Sequence, residues 1–381
     1  MTPCDWRPSL AARGHRLAVA RSRFLVFALL VAVAATAALV GSPTRGTQTS
    51  SSSARPPGTN YTGQAFTFNR IQDGIYHAVG TGNLVVMSNA TIIEGDRDVL
   101  VVDSHVTPGG AWALREELKA ITTKPIRFVV NTHYHFDHSH GNQIYGPGVE
   151  IIGHEFARQM IIAGKSVDSR AYHFFVGGVP NSIQALEQRL AAAADAKERA
   201  SISAQLDVQR NHLAGTEAVT PTPPTMTLTH TMTVHRGGRE IRVLHLGRGH
   251  TAGDVIIHLP KERIIATGDL LVENTSYLGD AYFTEWIETI EAVKKLDFDT
   301  VLPGHGRAFT GKAKLDHWQA YLRDFWAQAQ KLHAAGVPAE EAATQVDLRS
   351  HAANYPLIRS VGITPNHGML RAYELLDGTV K

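Results

Sequence analysis

Residues 131–140, NTHYHFDHSH, contain four histidines and one aspartate and directly follow the apolar run PIRFVV at 125–130. Such a short apolar run predicts a buried strand, so the histidines come where that strand ends. A buried imidazole needs only one or two hydrogen-bond partners, and core packing gives no reason to crowd four of them. The stretch therefore indicates either a metal site or a polar loop that happens to be rich in histidine.

The composition is that of a globular protein with a sizeable core. Of 381 residues, 43% are hydrophobic and 19% are charged, and this length allows one large domain or two ordinary ones. The formal net charge of +2 gives no reason to expect a nucleic acid partner. The single cysteine, Cys4, cannot form a disulfide within the chain, whereas histidine is unusually frequent, with 20 residues.

Residues 1–40 predict a signal peptide or a membrane anchor. Several arginines precede an apolar run from Phe24 to Val40, and Ala35-Thr36-Ala37 offers small residues for cleavage. Residues 24–40 are at the short limit for crossing a bilayer, so an uncleaved anchor is the alternative. We expect an exported protein, periplasmic or secreted, that touches the membrane only through this segment if it is not cleaved. Residues 41–64, rich in Ser, Thr, Pro and Gly, predict a flexible linker.

Two blocks of strands followed by helices predict the fold. The first block has hairpin-connected strands, a helix, a buried strand and a strand-helix pair, at 82–105, 107–121, 125–130 and 149–162. The second block has three strands, an amphipathic helix and a strand that ends in a Gly-rich turn, at 240–246, 254–260, 263–269, 283–296 and 299–306. This ordering predicts an α/β protein, a four-layer αβ/βα sandwich over residues 65–310.

Two further segments are predicted to be helical. Residues 182–215 are strongly helix-forming, and they indicate either a solvated insertion in the sandwich or a lid over the substrate cleft. Residues 311–381 predict a C-terminal helical extension that packs on the domain. Within it, helical spacing indicates a core-facing apolar stripe formed by Trp318, Tyr321, Leu322 and Phe325.

Candidate metal ligands recur at later strand ends. The pattern HxHxDH in the opening stretch combines imidazoles and carboxylate, which suit zinc and, less selectively, iron or manganese. Three more candidates each follow an apolar strand and have glycine nearby, which lets the backbone approach a metal closely. The predicted metal ligands are His133, His135, Asp137, His138, His250, Asp269 and His305.

In this order, the motifs resemble those of the metallo-β-lactamase superfamily, over roughly residues 65–310. The resemblance implies the αβ/βα sandwich, with two metals in a cleft at one edge of the sheets. By this resemblance, the first metal is bound by His133, His135 and His250. The second metal is bound by Asp137, His138 and His305, and Asp269 bridges the two metals. Asp103 matches an acidic residue that orients a ligand imidazole or its loop, with a simple turn-forming role as the alternative.

The resemblance further implies an exported zinc-dependent hydrolase with two Zn²⁺ per chain, iron or manganese being possible. Two metals that share a water lower its pKa and so generate a hydroxide, which attacks a carbonyl or phosphoryl centre. Asp137 is expected to act catalytically, accepting the proton and passing it to the leaving group. The expected substrate is a small molecule: an ester, a lactone, a thioester or a β-lactam. The loop that follows the bridging carboxylate is expected to contact the substrate through Asn274, Tyr277 and Tyr282.

The ligand set favours some branches of the superfamily over others. Classical zinc β-lactamases have Cys or Ser where this chain has Asp269, which instead matches the glyoxalase II, lactonase and nuclease-like branches. The tyrosine that lactonases place soon after this position is displaced here to Tyr277. Because of the leader, a β-lactamase that degrades β-lactams is the alternative function. An iron-dependent oxidoreductase and a non-catalytic metal-binding protein are further alternatives.

Overall fold

Short apolar strands pair into two sheets in the computed structural model, which describes residues 55–356 and 363–380. The predicted signal peptide or anchor at 1–40 lies outside the described residues. None of the helices in the described ranges is long and apolar enough to cross a bilayer.

The first sheet consists, within the described ranges, of seven strands: β1 (Phe66–Gln72), β2 (Ile75–Gly80), β3 (Ala90–Glu94), β4 (Val99–Val102), β5 (Ile126–Val130), β6 (Glu150–His154) and β7 (Met226–Leu228). The strands lie in chain order, antiparallel from β1 to β4 and parallel from β4 to β7. Because parallel strands end at the same edge of a sheet, the residues that follow β4 and β5 are brought together there.

The second sheet has the strands β8 (Thr231–Arg236), β9 (Arg239–Leu244), β10 (Ile256–Leu259), β11 (Ile264–Gly268), β12 (Thr300–Pro303) and β13 (Phe309–Thr310). Their spatial order is β13-β12-β11-β10-β9-β8, and β11 and β12 are the parallel pair among them. The ends of β11 and β12 therefore lie side by side, as the ends of β4 and β5 do in the first sheet.

The α-helices of the described ranges are α1 (Pro108–Leu118), α2 (Phe136–Ser139), α3 (Glu155–Ile162), α4 (Arg170–Phe175), α5 (Val179–Ala192), α6 (Ala196–Glu217), α7 (Phe283–Lys294), α8 (Ala313–Ala334), α9 (Ala339–Gln345) and α10 (Ile363–Leu376). Short 3-10 helices cover His140–Ile144 and Arg349–His351. The helices and strands predicted in both blocks are confirmed, with shifts of a few residues at their ends.

Apolar side chains on the inner faces of both sheets form one core, to which β5 contributes Val130 and β10 contributes Ile257. Helix α1 packs on the outer face of the first sheet through Leu114 and Leu118. Helices α7 to α10 cover the outer face of the second sheet, where Trp286 is fully buried. The layers therefore run helix, sheet, sheet, helix, and the predicted αβ/βα sandwich is confirmed.

The segment at 182–215 forms α5 and α6, an antiparallel pair that packs through Leu186, Ile202 and Leu206. In the C-terminal segment, the predicted stripe on α8 is buried in the core over the second sheet, at Trp318, Tyr321, Leu322 and Phe325. Apolar side chains at helical spacing thus join the tail to the sandwich.

Residues 55–64, which the sequence analysis assigns to a linker, make specific contacts with the helices. The side chain of Asn211 on α6 donates to the carbonyl of Gly58 (2.9 Å) and accepts from the backbone amide of Asn60 (2.8 Å). Glu117 on α1 accepts from the amides of Ala65 and Phe66. A segment poor in apolar side chains is held here by hydrogen bonds to its backbone, which composition does not reveal.

Candidate metal centre

All the predicted metal ligands meet at one edge of the sandwich. The loop after β5 carries the HxHxDH residues and runs into α2, while Asp269 and His305 follow the adjacent strands β11 and β12. His250 lies in the loop between β9 and β10. Nitrogen and oxygen atoms that could hold metal ions lie within 4.8 Å of one another in three groups: His133, His135 and His250; His133, His138 and Asp269; and Asp137, His138 and His305.

The three-histidine set comprises His133, His135 and His250. His250 Nε2 and His135 Nδ1 are 3.0 Å apart. Two nitrogens bound to one tetrahedral zinc at about 2.0–2.1 Å would lie about 3.3 Å apart, so this spacing suits a shared cation. The outer nitrogens are held by acceptors: His250 Nδ1 lies 3.0 Å from the carbonyl of Tyr277, and His135 Nε2 lies 3.0 Å from Asp280.

Three inward-facing atoms of the centre are buried and make no hydrogen bond to the described residues, although two of them form a 3.4 Å ion contact with each other. They are His133 Nε2, His138 Nε2 and Asp269 Oδ1. The opposite nitrogen of His133 is occupied, because its Nδ1 lies 3.1 Å from the Thr132 hydroxyl. Buried polar atoms without a partner are rare in folded proteins, and metal ligation would satisfy all three. The residues present therefore fit metal binding.

The aspartate set comprises Asp137, His138 and His305. Asp137 Oδ2 lies 3.1 Å from His305 Nε2 and 3.4 Å from His138 Nε2. Asp269 approaches the same two imidazoles at 3.3 and 3.4 Å, and it lies 3.7 Å from His250 of the other set. Asp269 thus stands between the two sets, where a bridging carboxylate would have to be.

Asp103 reaches the centre from the end of β4. Its Oδ2 lies 2.8 Å from His138 Nδ1, and its carboxylate accepts from the amide and hydroxyl of Thr132. A carboxylate on the outer nitrogen of a ligand histidine sets the orientation of the ring, which is the role predicted for this residue. Asp103 has a φ of 66°, a conformation uncommon for residues other than glycine and typical of constrained functional loops.

Two histidines of the first set, His133 and His250, are neutral. Burial, followed by the nearby imidazoles, lowers the pKa of His133 well below its usual value. Burial also lowers the pKa of His250 to about 3. Since only the neutral imidazole binds a metal, these side chains are ready to ligate at neutral pH.

The aspartate set is charged in the metal-free protein. Against the effect of burial, the surrounding carboxylates raise the pKa of His138 well above its usual value, and Asp269 and Asp137 raise the pKa of His305 to about 10. In turn, although burial opposes it, these imidazoles hold the pKa of Asp137 and Asp269 well below the usual range for carboxyl groups. The set therefore holds protons on its histidines that a cation must displace.

A glycine is required beside the bridging position. A Cβ atom on Gly304, at the end of β12, would lie 2.5 Å from Asp269 Oδ1 and 2.9 Å from the His138 ring. No side chain fits there without displacing a candidate ligand. The glycine that the sequence places before His305 is thus explained by close approach to the centre.

A cavity of about 220 Å³ opens over the centre. Its lining includes four candidate ligands and a mainly apolar wall: His135, Asp137, Asp269 and His305, with Met87, Phe136, Ala171, Phe175, Val272, Thr275, Ser276 and Tyr277. None of these residues belongs to α5 or α6. Of the predicted substrate contacts, Tyr277 lines the cavity, and Asn274 and Tyr282 do not.

Tyr282 is buried beside the centre and packs against two guanidinium groups. The Arg248 and Arg371 groups lie 4.2 and 4.6 Å from its ring centroid. The residue begins α7, so its ring fills the junction between the loop and the helix instead of facing the cavity. Asn274 is half-buried in the same loop.

Several residues of the site carry no recognisable signal in the sequence. Asp280, which holds His135, lies in a loop of ordinary composition, and Met87 lies outside every motif. Met87 has a φ of 62°, which only the folded backbone reveals. The position of Phe136 at the site could have been predicted, because it lies between two candidate ligands in HxHxDH.

The chain belongs to the metallo-beta-lactamase superfamily, whose family model matches residues 84–147 and 169–305. Members of this family typically bind metal ions, as the histidine and aspartate groups of this chain would allow.

Among curated proteins, the chain is similar to the linear primary-alkylsulfatase of Pseudomonas sp. (strain ATCC 19151), at 22% identity over 302 residues, 74% of this chain and 54% of that protein. It is also similar to the 2,4-dinitroanisole O-demethylase subunit alpha of Nocardioides sp. (strain JS1661), at 24% identity, covering 56% of this chain and 51% of that protein. The metallo-beta-lactamase type 2 of Bacillus cereus matches at 34% identity over 76 residues, 18% of this chain and 30% of that protein. The chain spans about half the length of the first two relatives.

Among solved structures, the stereoselective inverting sec-alkylsulfatase Pisa1 from Pseudomonas sp. superposes with a TM-score of 0.56 at 18% identity. The likeness covers 83% of this chain and 51% of that protein. At this identity it shows a shared fold.

Proposed function

We propose that this protein is a metal-dependent hydrolase that holds two divalent cations, with zinc as the proposed metal, and cleaves a small carbonyl substrate. An ester, a lactone, a thioester or a β-lactam would each suit this chemistry. The observation that carries the proposal is the convergence of seven imidazole and carboxylate side chains at the base of an open cavity. Family membership supports it, because the curated relatives include hydrolases.

The two sets would hold one cation each, with Asp269 shared between them. Bound there, divalent cations would supply Lewis acidity, lowering the pKa of water and polarising the oxygen of the scissile group. The protein supplies orientation: Asp280 holds His135, and Asp103 holds His138, each at its outer nitrogen. These contacts fix the rings before any cation binds.

Asp137 is proposed as the residue that moves the proton. Its carboxylate lines the cavity, and its pKa is held low by His138 and His305 against the effect of burial, so it is ionised and can accept a proton. A leaving group in the cavity would lie within reach of the same carboxylate, which could then return the proton. Both transfers would take place on the cavity side of the centre.

Zinc is proposed because the donors are imidazoles and carboxylates; iron or manganese would be accepted by the same donors. Export is proposed from the leader sequence at 1–40 alone, and cell fractionation with N-terminal sequencing of the mature protein tests it. Protein found whole in the cytosolic fraction would contradict export. We further propose that the partner of the site is a small molecule and that no nucleic acid is bound.

The test is turnover by the zinc-loaded full chain on a panel of 4-nitrophenyl esters, a thioester, a lactone and a chromogenic cephalosporin. We expect kcat/KM above about 10⁴ M⁻¹s⁻¹ on at least one of them. A chelator should abolish the turnover, and added zinc should restore it. The Asp137→Asn variant, prepared in parallel, controls for contaminating hydrolases. Two bound metals with no turnover on any substrate would contradict the proposal and favour a non-catalytic metal-binding protein.

A second candidate is the hydrolysis of alkyl sulfate esters. The observation that favours it is the likeness to a linear primary-alkylsulfatase over 302 residues and to a sec-alkylsulfatase in fold. Release of inorganic sulfate from hexyl sulfate by the zinc-loaded chain, measured by ion chromatography, distinguishes it from the first.

A further inference from the structure

The cavity over the metal centre has two unlike sides. One side carries the candidate ligands, and the other is an apolar wall that we define by the side chains of Met87, Phe136, Phe175, Val272 and Tyr277. With a volume of about 220 Å³, the cavity is smaller than the ~300–1,000 Å³ typical of sites for drug-sized ligands. A small substrate with an apolar group fits this space.

The Phe175 ring lies between two other rings of the apolar wall, edge to face with one and tilted against the other. The Phe175 ring centroid lies 5.7 Å from that of Tyr277 and 6.3 Å from that of Phe136. Tyr277 also lies 6.2 Å from the ring of His135, so the wall reaches the metal centre without a gap. Aromatic rings in this arrangement offer a continuous apolar surface beside the reacting atoms.

Phe175 belongs to α4, whose last residues are unusually apolar for a surface. Phe174 and Phe175 are 40% and 43% exposed, among the few large hydrophobic side chains that remain so. Phe175 lines the cavity, whereas Phe174 is not among its lining residues and contacts His367 of α10. Two neighbours of the same type and exposure thus differ in whether they face the site.

The wall is held in place from outside the cavity. The Tyr277 hydroxyl lies 3.1 Å from His367 Nδ1, and Arg170 on α4 forms an ion pair with Glu374 on α10. The backbone next to Met87 is anchored by the Ser88 hydroxyl, which donates to the Asp137 carbonyl. The wall is therefore built before a ligand arrives, which lowers the cost of binding an apolar group.

The described residues that line the cavity include no lysine or arginine. The basic side chains on the neighbouring segments are engaged elsewhere: Arg170 with Glu374, and Arg307 with Glu273. An anionic group seated on the apolar wall would therefore be buried without a paired side chain, which is unfavourable. The cations of a loaded centre would attract an anion only at the ligand side.

We propose that the substrate is a neutral ester or lactone whose apolar group, a short alkyl chain or an aromatic ring, lies on the apolar wall. This inference rests on the proposed hydrolase function and selects within it, against substrates that would place a charged group on the apolar wall. Hydrolysis breaks the acyl carbon–oxygen bond, adds the hydroxyl of water to the acyl carbon and its proton to the departing oxygen. No other reactant is consumed.

Turnover of 4-nitrophenyl acetate, butyrate and hexanoate by the zinc-loaded full chain tests the wall. We expect kcat/KM to rise roughly threefold to fourfold for each added methylene until the chain outgrows the cavity. Phe175→Ala should flatten this dependence, lowering the value for hexanoate about tenfold more than the value for acetate. Phe174→Ala, the matched control, should leave both within about twofold. A Phe175→Ala variant with the unchanged chain-length dependence would overturn the inference.

Binding tests the charge preference independently of turnover. Calorimetry with the zinc-loaded chain compares hexananilide, which is neutral and resists hydrolysis, with 6-sulfohexananilide, which carries a sulfonate at the far end of the same chain. We expect the neutral anilide to bind at least about tenfold more tightly. Equal or tighter binding of the sulfonate would overturn the inference. Preferred binding of the anilide with no turnover of any ester would overturn the hydrolase function and leave the preference for a neutral apolar ligand standing.

The converse change adds a cation to the cavity. Thr275→Arg, at a half-buried lining position, should raise the relative affinity for 6-sulfohexananilide about tenfold while the neutral anilide is less affected. An unchanged ratio of the two affinities in a folded variant would show that the lack of a basic side chain in the lining does not set the charge preference. This result would overturn that part of the inference.

Discussion

The three-histidine set contains no carboxylate, whereas the aspartate set contains Asp137 and shares Asp269 with its neighbour. In the metal-free protein His133 and His250 of the first set are therefore neutral, whereas the second set carries both negative carboxylates and protonated imidazoles. Both sets are built from residues that follow strands. Carboxylates keep the imidazoles of the second set protonated, whereas burial keeps His133 and His250 neutral. The difference teaches that carboxylates within and beside a set of imidazoles decide how many protons a cation must displace on binding.

The pH dependence of metal content separates the two sets most strongly. At pH 6–8 a cation entering the aspartate set must displace protons from His138 and His305, because the nearby carboxylates raise the pKa of His305 to about 10 and that of His138 well above its usual value. Each displaced proton lowers the affinity about tenfold per pH unit, so two protons give about 10⁴-fold between pH 8 and pH 6. His133 and His250 are neutral there and have no extra proton to lose, so the three-histidine set should keep its cation.

Zinc per chain, measured by elemental analysis after dialysis at each pH, checks this expectation. It should fall from two towards one as the pH falls from 8 to 6. The His250→Ala variant, which weakens the three-histidine set, serves as control and should fall towards zero over the same range. Loss of both zinc ions at one pH would contradict the distinction between the sets.

Asp137→Asn tests the role of the carboxylate that is peculiar to the second set. The amide has the same shape and cannot accept a proton, so we expect kcat/KM to fall about 10²- to 10⁴-fold with the fold retained. The assay is run at saturating zinc with the metal content measured, so that loss of a ligand is separated from loss of the proton acceptor. Asp168→Asn, an exposed carboxylate, is the control. More than a tenth of the activity retained in Asp137→Asn would contradict the proton role.

Asp280 tests how the first set is held. Removing its contact with His135 in Asp280→Ala should weaken zinc binding to the three-histidine set by ~10–100-fold, as judged by chelator competition. Asp280→Asn keeps an acceptor oxygen and should restore most of the affinity. The affinity of the aspartate set should not change. Equal weakening of both sets would indicate a general structural defect instead of a positioning role.

The fold was predictable because its strands are apolar runs and its helices have apolar side chains at helical spacing. The candidate ligands were predictable because they follow those strands directly, and strand ends meet at one edge. Asp280 was not, since it is 145 residues away from His135 and lies in a loop without a motif. Tyr277 and Tyr282 look alike in the sequence, yet one lines the cavity and the other is packed between arginines.

The segment at 55–64 also shows that sequence composition does not report contacts between distant residues. Its composition predicts a flexible linker, because it has few apolar side chains to bury. In the structure Asn211 binds its backbone at Gly58 and Asn60. Backbone hydrogen bonds to a distant helix depend on which residues meet in space, and no local pattern reports them.

The sequence by itself determined the order of strands and helices, the donor types of the metal centre and the class of fold. These follow from local patterns of apolar and polar residues and from the positions of the ligands just after the strands. The tertiary structure alone decided which nitrogen of each imidazole faces inward, how the charges divide between the sets and which aromatic rings form the apolar wall. Those properties arise from contacts between residues far apart in the chain, and only the folded sandwich brings such residues within hydrogen-bonding distance.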